Sequence, residues 1–328
     1  MERRFLLKWL AGFTAGILLS SQTNAQDKTP NSDRLGELLP LRTLGRTGEA
    51  VTMLGVGGSH LGGLSERDAQ ETIEIALQGG VRFFDTAEMY QSGGSETLMG
   101  KLLIPKYRDV IYLMSKTTAH NAQDARYHLE ESLRRLNTDY LDLWQVHAVQ
   151  SPEDADERMV NGVFQVMAEA KESGKVRHLG FTGHSQPAGH LRVLEKSDIF
   201  DTCQMPINLA DPNYSSFIKQ VLPKLVERNI GVIAMKSLAN GGFFGGSSHG
   251  QHGDNPKIVP NRISIAQAVN FAWSLPVSVL ITGFNEPRQM QEKIALANSF
   301  VAMDEQQRQD LIDKVADLAG RQVEFYKA

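Results

Sequence analysis

Gly80-Val81-Arg82-Phe83-Phe84-Asp85-Thr86-Ala87-Glu88-Met89-Tyr90 reads as a strand that ends on an acid and runs into a loop carrying a phenol. Val81, Phe83 and Phe84 favour extended chain, and Gly79-Gly80 closes the helical pattern before them. Parallel α/β proteins display reactive groups in this way, at the carboxyl ends of strands.

The same unit recurs along the chain. Short apolar runs at 51–56, 81–85, 110–115, 141–147, 177–182, 203–208, 232–236 and 279–283 alternate with segments of helical periodicity. Ala69, Ile73, Ala76 and Leu77 share one helix face, as do Leu129, Leu133 and Leu136. Met159, Val163, Val166 and Met167 predict another helix, and Ile218, Val221, Leu222, Leu225 and Val226 a further one. Eight strand–helix repeats predict an α/β fold, a (β/α)8 TIM barrel. An open doubly wound sheet would carry a Gly-x-Gly-x-x-Gly turn after its first strand, a spacing that Gly55-Val56-Gly57-Gly58 lacks. Residues 41–44 and 50–53, around Gly45-Arg46-Thr47-Gly48, predict an N-terminal β-hairpin plugging the barrel's bottom. A C-terminal extra helix is expected from Asp304 to about Tyr326, packed outside through Leu311, Val315 and Leu318.

Residues 1–25 are set apart. Arg3-Arg4 precede an apolar run at 9–19, and small residues follow to Ala25, which reads as a signal peptide of twin-arginine type. The expectation is export by the twin-arginine machinery, cleavage near Ala25 and a periplasmic mature chain without a membrane span. Residues 26–40 read as linker and 41–328 as a single barrel domain. Net charge −4 gives no basic stripe for nucleic acid, and the lone Cys203 rules out an internal disulfide or a cysteine metal cluster. The connection between Lys236 and Ile263 is long and rich in glycine and serine. It follows the seventh strand, where barrels bind phosphate, and reads as a clasp over a cofactor pyrophosphate. Its His249 and His252 have no third ligand nearby, so no metal is expected.

Asp85, Tyr90, Lys116 and His147 fall at or just past strand ends and should converge on one mouth. Together they make a proton-transfer device. A lysine ammonium beside a phenol should lower its pKa by ~1–3 pH units. Asp85 would hold the lysine charged, and His147 would orient a substrate oxygen while Tyr90 protonates it as general acid. Two rival chemistries are weaker. Gly246-Ser247-Ser248-His249-Gly250 matches a nucleophile elbow but lacks the strand before and helix after. Asp85 and Glu88 could pair as glycosidase carboxylates, but nothing fixes their separation.

These residues, with Arg42-Thr43-Leu44-Gly45-Arg46-Thr47-Gly48, 80–87, Ser115-Lys116, 136–147, 174–180 and 204–208, make the chain resemble an aldo/keto reductase over about residues 41 to 300. The resemblance implies an NAD(P)H-dependent oxidoreductase that reduces aldehydes or ketones reversibly, with the four residues in the roles above. It implies cofactor contacts from Thr182, His184 (in place of an asparagine that is Gly183 here), Gln204, Met235 (in place of a stacking tyrosine), Lys236, Gly283, Arg288, Gln289 and Glu292. The arginine that would grip a 2′-phosphate is Asn285 here; Arg288 and Lys293 are near enough to replace it, which puts NADP(H) ahead of NAD(H). Thr-Gly-His and Met-Lys after the fifth and seventh strands resemble a branch often fused to iron–sulfur domains, but no iron–sulfur cluster is expected. Met89, Trp144, Phe243 and Phe244 suggest an apolar substrate wall. The alternative function is a nucleotide-binding regulatory or sensing barrel.

Overall fold

The computed structural model describes residues 31–244 and 262–327. Residues 1–30, with the expected signal peptide, and residues 245–261 of the long connection, with His249 and His252, lie outside the described residues. Eight parallel strands close into a barrel: β1 (Leu54–Gly57), β2 (Phe83–Asp85), β3 (Tyr112–Thr117), β4 (Leu141–Val146), β5 (Val176–Thr182), β6 (Thr202–Pro206), β7 (Gly231–Met235) and β8 (Val279–Thr282). Each pairs with the next, and β8 closes on β1. The expected run 51–56 is divided. Ala50–Thr52 pairs antiparallel with Leu41–Thr43, and the barrel strand starts at Leu54.

Strand parity sorts the core into two layers. Phe83, Tyr112, Met114, Leu143, Ile233, Val279 and Ile281 form one buried cluster inside the barrel, joined by Leu44 and Val51 of the hairpin. Phe84, Leu113, Trp144, Val232 and Leu280 have the opposite parity and pack with the helices. The hairpin is therefore the expected plug. Burying a leucine such as Leu44 fully contributes ~1.5–3 kcal/mol. Gly45 makes the close approach possible: it has φ +52°, and a Cβ there would lie 2.2 Å from the Gly231 nitrogen.

The helices follow the apolar spacing, with breaks. α1 (Glu66–Gln78) buries Ala69, Ile73, Ala76 and Leu77 and is capped by Ser65. α2 (Gly94–Leu102) follows the loop that carries Tyr90, and α3 (Ala122–Leu136) buries Leu129, Leu133 and Leu136. Met159 and Val163, expected on one helix, lie on two: α4 (Pro152–Val160) and α5 (Val163–Glu172). Gly162 at φ +84° breaks them apart. The pattern from Ile218 to Val226 is likewise split at Val221, because Pro223 has no N–H with which to continue the helical ladder.

Both ends differ from expectation. Residues 31–40 are not free linker. Ser32–Asp33 and Gly36–Glu37 form a small hairpin, Leu39 is buried, and Asp33 accepts from Arg82 at 2.5 and 2.9 Å. The C-terminal helix, Glu305–Val315, is shorter than expected. A 3-10 turn at Ala316–Leu318 ends it, and the chain folds back across the barrel mouth. There Lys327 donates to Asp211 (2.6 Å) and Glu324 (3.0 Å), while Asn208 donates to Glu324 and Tyr326, each at 2.9 Å. All four charged or amide partners are fully buried.

Candidate active site

Inward parity carries the site. Asp85 lies two residues beyond Phe83, Lys116 two beyond Met114, and His147 two beyond Gln145, each on the same side. The register sets Asp85 opposite Met114, and Lys116 opposite Gln145. The Lys116 ammonium pairs with Asp85, donates to the Thr86 carbonyl at 2.8 Å, and donates to the Tyr90 hydroxyl at 3.2 Å. The edge of the His147 ring meets the Tyr90 ring, centroids 5.7 Å apart. The structure thus brings the four predicted residues together at the floor of a cleft of about 560 Å³.

The electrostatics correct one expectation. Burial pushes the Tyr90 phenol up, and the Lys116 ammonium opposes this without reversing it. The phenol therefore keeps its proton at neutral pH, as a general acid must. Burial works against the Lys116 charge, but Asp85 and Tyr90 outweigh it and hold the ammonium above the ordinary lysine range. Burial, and then the charge of Lys116, hold His147 well below the usual histidine value. His147 is a neutral imidazole at pH 7, able to donate one hydrogen bond.

Thr182, His184, Gln204, Met235, Lys236 and Gly283 also line the cleft. Gln204 Nε2 donates to Asp85 at 3.3 Å, while its buried Oε1 has no hydrogen-bond partner. Lys236 stands in the left-handed region at φ +57° with its ammonium 4.8 Å from the Tyr326 ring centroid. No carboxylate among the described residues reaches it, and burial lowers its pKa to about 8. His184 Nδ1 lies 3.2 Å from the Tyr326 carbonyl oxygen. Arg288, Gln289 and Glu292 are not in the cleft lining. Arg288 pairs with Glu286 and Glu292, and Gln289 accepts from the Asn285 backbone.

Of the expected apolar wall, Met89 lines the cleft, whereas Trp144 and Phe243 are buried in the core. The Phe244 side chain lies outside the described residues. Sequence reading missed Ser59, His60, Gln91, Asn240 and Thr282, all in the lining. Ser59 and His60 follow the glycines of β1, and their position just past a strand end was the available signal. Tyr326 gave no signal, since it reaches the mouth only through the refolded tail.

The profile of the aldo/keto reductase family matches residues 53–316, and the chain belongs to that family. Aldo-keto reductase YhdN of Bacillus subtilis (strain 168) is 33% identical over 202 residues, 57% of this chain and 56% of that protein. L-galactose dehydrogenase of Arabidopsis thaliana is 28% identical over 225 residues, 62% of this chain and 66% of that protein. The chain spans less than two-thirds of the length of either. In fold it is similar to a Bacillus halodurans aldo-keto reductase in its holo form, with TM-score 0.71, 21% identity, and 84% and 96% of the two chains covered. It is also similar to a Klebsiella pneumoniae aldo-keto reductase in complex with NADPH, with TM-score 0.66, 23% identity, and 85% and 96% covered.

Proposed function

We propose that this protein is an NAD(P)H-dependent reductase of aldehydes or ketones, acting reversibly. The observation that carries the reading is the Lys116 ammonium, paired with Asp85 and 3.2 Å from the Tyr90 hydroxyl. A binding module needs no such phenol.

The residues present fit a nicotinamide nucleotide. The unpartnered Gln204 Oε1 is an open acceptor for a carboxamide N–H. Met235 offers an adaptable surface beside a ring, and Thr182 a hydroxyl. Lys236 is a half-buried ammonium without an anionic partner among the described residues, and a phosphate would satisfy it. When bound and reduced, the nucleotide supplies the hydride. The chain's own groups do the rest. Tyr90 and neutral His147 both donate to the carbonyl oxygen, which polarises it, and Tyr90 then gives up its proton to that oxygen. Lys116 stabilises the phenolate left behind, and Asp85 keeps Lys116 charged. A preference for NADP(H) over NAD(H) is expected from Arg288 and Lys293, with the share of Arg288 kept small by its pairing to Glu286 and Glu292, and the twin-arginine export to a periplasm is expected from Arg3-Arg4.

The test is to mix the purified protein with NADPH and a panel of aldehydes and ketones and to follow nucleotide absorbance. Turnover is expected. Nucleotide bound with no turnover on any carbonyl would replace this reading with the sensing one.

A further inference from the structure

Glu88 lies between Asp85 and Tyr90 in the chain, yet it does not line the cleft. It is buried, and both of its oxygens are engaged. Oε1 accepts from the Thr118 backbone N–H at 2.7 Å and from the Thr118 hydroxyl at 2.5 Å. His128 Nδ1 stands 3.3 Å from the same oxygen and 2.9 Å from the Thr117 hydroxyl. Oε2 accepts from the Met89 N–H at 2.9 Å. The carboxylate therefore holds two loops at once. One end of the bridge is two residues from Tyr90, and the other is two residues from Lys116.

We propose that Glu88 is a positioning residue for proton transfer, its carboxylate stapling the loop of Tyr90 to the chain just beyond Lys116. The proposal rests on the reductase reading above. The loop needs such a staple. Directly after Tyr90, Gln91 and Ser92 both occupy the left-handed region, at φ +49° and +53°. Non-glycine residues stay there only when surrounding contacts over-determine them. Otherwise Gln91 Nε2 donating to the Ser59 carbonyl at 3.0 Å holds the far side of this turn. The phenol reaches Lys116 across a single 3.2 Å hydrogen bond, so a small rotation of the loop would open it. A misplacement of about 1 Å can cost a reaction ~10²-fold. The length of the side chain matters as well as its charge. Aspartate is one carbon too short to reach both loops. Glutamine keeps an oxygen for Thr118 but turns an N–H toward the Met89 N–H.

The test is a double-mutant cycle between Glu88→Ala and Lys116→Met, read as kcat on the best carbonyl substrate, with Glu88→Gln as a milder second variant. Alone, Glu88→Ala should lower kcat by ~10–100-fold with KM and nucleotide affinity nearly unchanged, and Glu88→Gln should fall between it and wild type. In the Lys116→Met background the same change should cost less than about 3-fold, because the pair it aligns is already gone. Equal losses in both backgrounds, or a loss that tracks a lowered unfolding midpoint, would overturn the proposal and leave the reductase reading standing. A wild type without turnover on any carbonyl would overturn both.

Discussion

The cleft floor and the start of the helix that follows β8 are built differently. At the cleft floor, Asp85, Lys116 and His147 project from strand ends, and each group depends on a neighbour: Lys116 on Asp85, and the Tyr90 phenol on Lys116. The start of α6 (Pro287–Asn298), outside the cleft lining, is satisfied within itself. Arg288, more than half exposed, is held by Glu286 and Glu292, and Gln289 is turned back onto Asn285. Lys236 lies between these extremes, half-buried and without an anionic partner among the described residues. A floor of interdependent charges should fail sharply when one member is lost. A self-paired surface cluster should barely respond, since exposed ion pairs contribute only ~0–1 kcal/mol.

Three substitutions probe that contrast, in falling order of effect. Lys116→Met should lower kcat/KM by ~10²–10⁴-fold, because Asp85 is left buried without its cation and the phenolate loses its stabilising charge. Steady-state kinetics would show it, and a loss below 10-fold would mean that the floor is not coupled. Lys236→Met should weaken nucleotide binding by roughly 10-fold, measured by fluorescence titration. The pH dependence checks the same residue. The free Lys236 ammonium is present below about 8 and lost above it. Wild-type affinity should therefore fall as pH rises through that value, while the Lys236→Met affinity should stay flat. Arg288→Ala should change the NADP(H)-to-NAD(H) affinity ratio by less than about 5-fold, since the arginine must leave two carboxylates to reach a phosphate. A larger change would show that the cluster opens on binding and that the two regions are alike.

Much of the floor was legible because strand parity is a local property. Once 81–85, 110–115 and 141–147 read as strands, the polar residues at their ends had to share one face of the barrel. The direction of the Tyr90 shift was not legible, because burial is set by the neighbours that close around the ring. The C-terminal tail was hidden for a similar reason. Glu324 and Lys327 look like ordinary surface charges in sequence, and they become buried only against Asn208 and Asp211, each 116 residues earlier. Asp33 misled in the same way, its partner Arg82 lying 49 residues further on. Helix breaks such as the one at Gly162 need a backbone angle that periodicity does not encode. Glu88, set aside as half of a glycosidase pair, took its meaning from Thr118, 30 residues away.

Proton transfer to the carbonyl oxygen depends on the Tyr90 phenol. Single-turnover reduction of an aldehyde by nucleotide-loaded wild type and Tyr90→Phe, with nucleotide affinity measured on both, tests it most directly. The predicted result is equal affinity with a rate at least ~10²-fold lower in Tyr90→Phe. A variant that binds nucleotide equally and reduces the aldehyde within a few-fold of wild type would show that the proton comes from elsewhere.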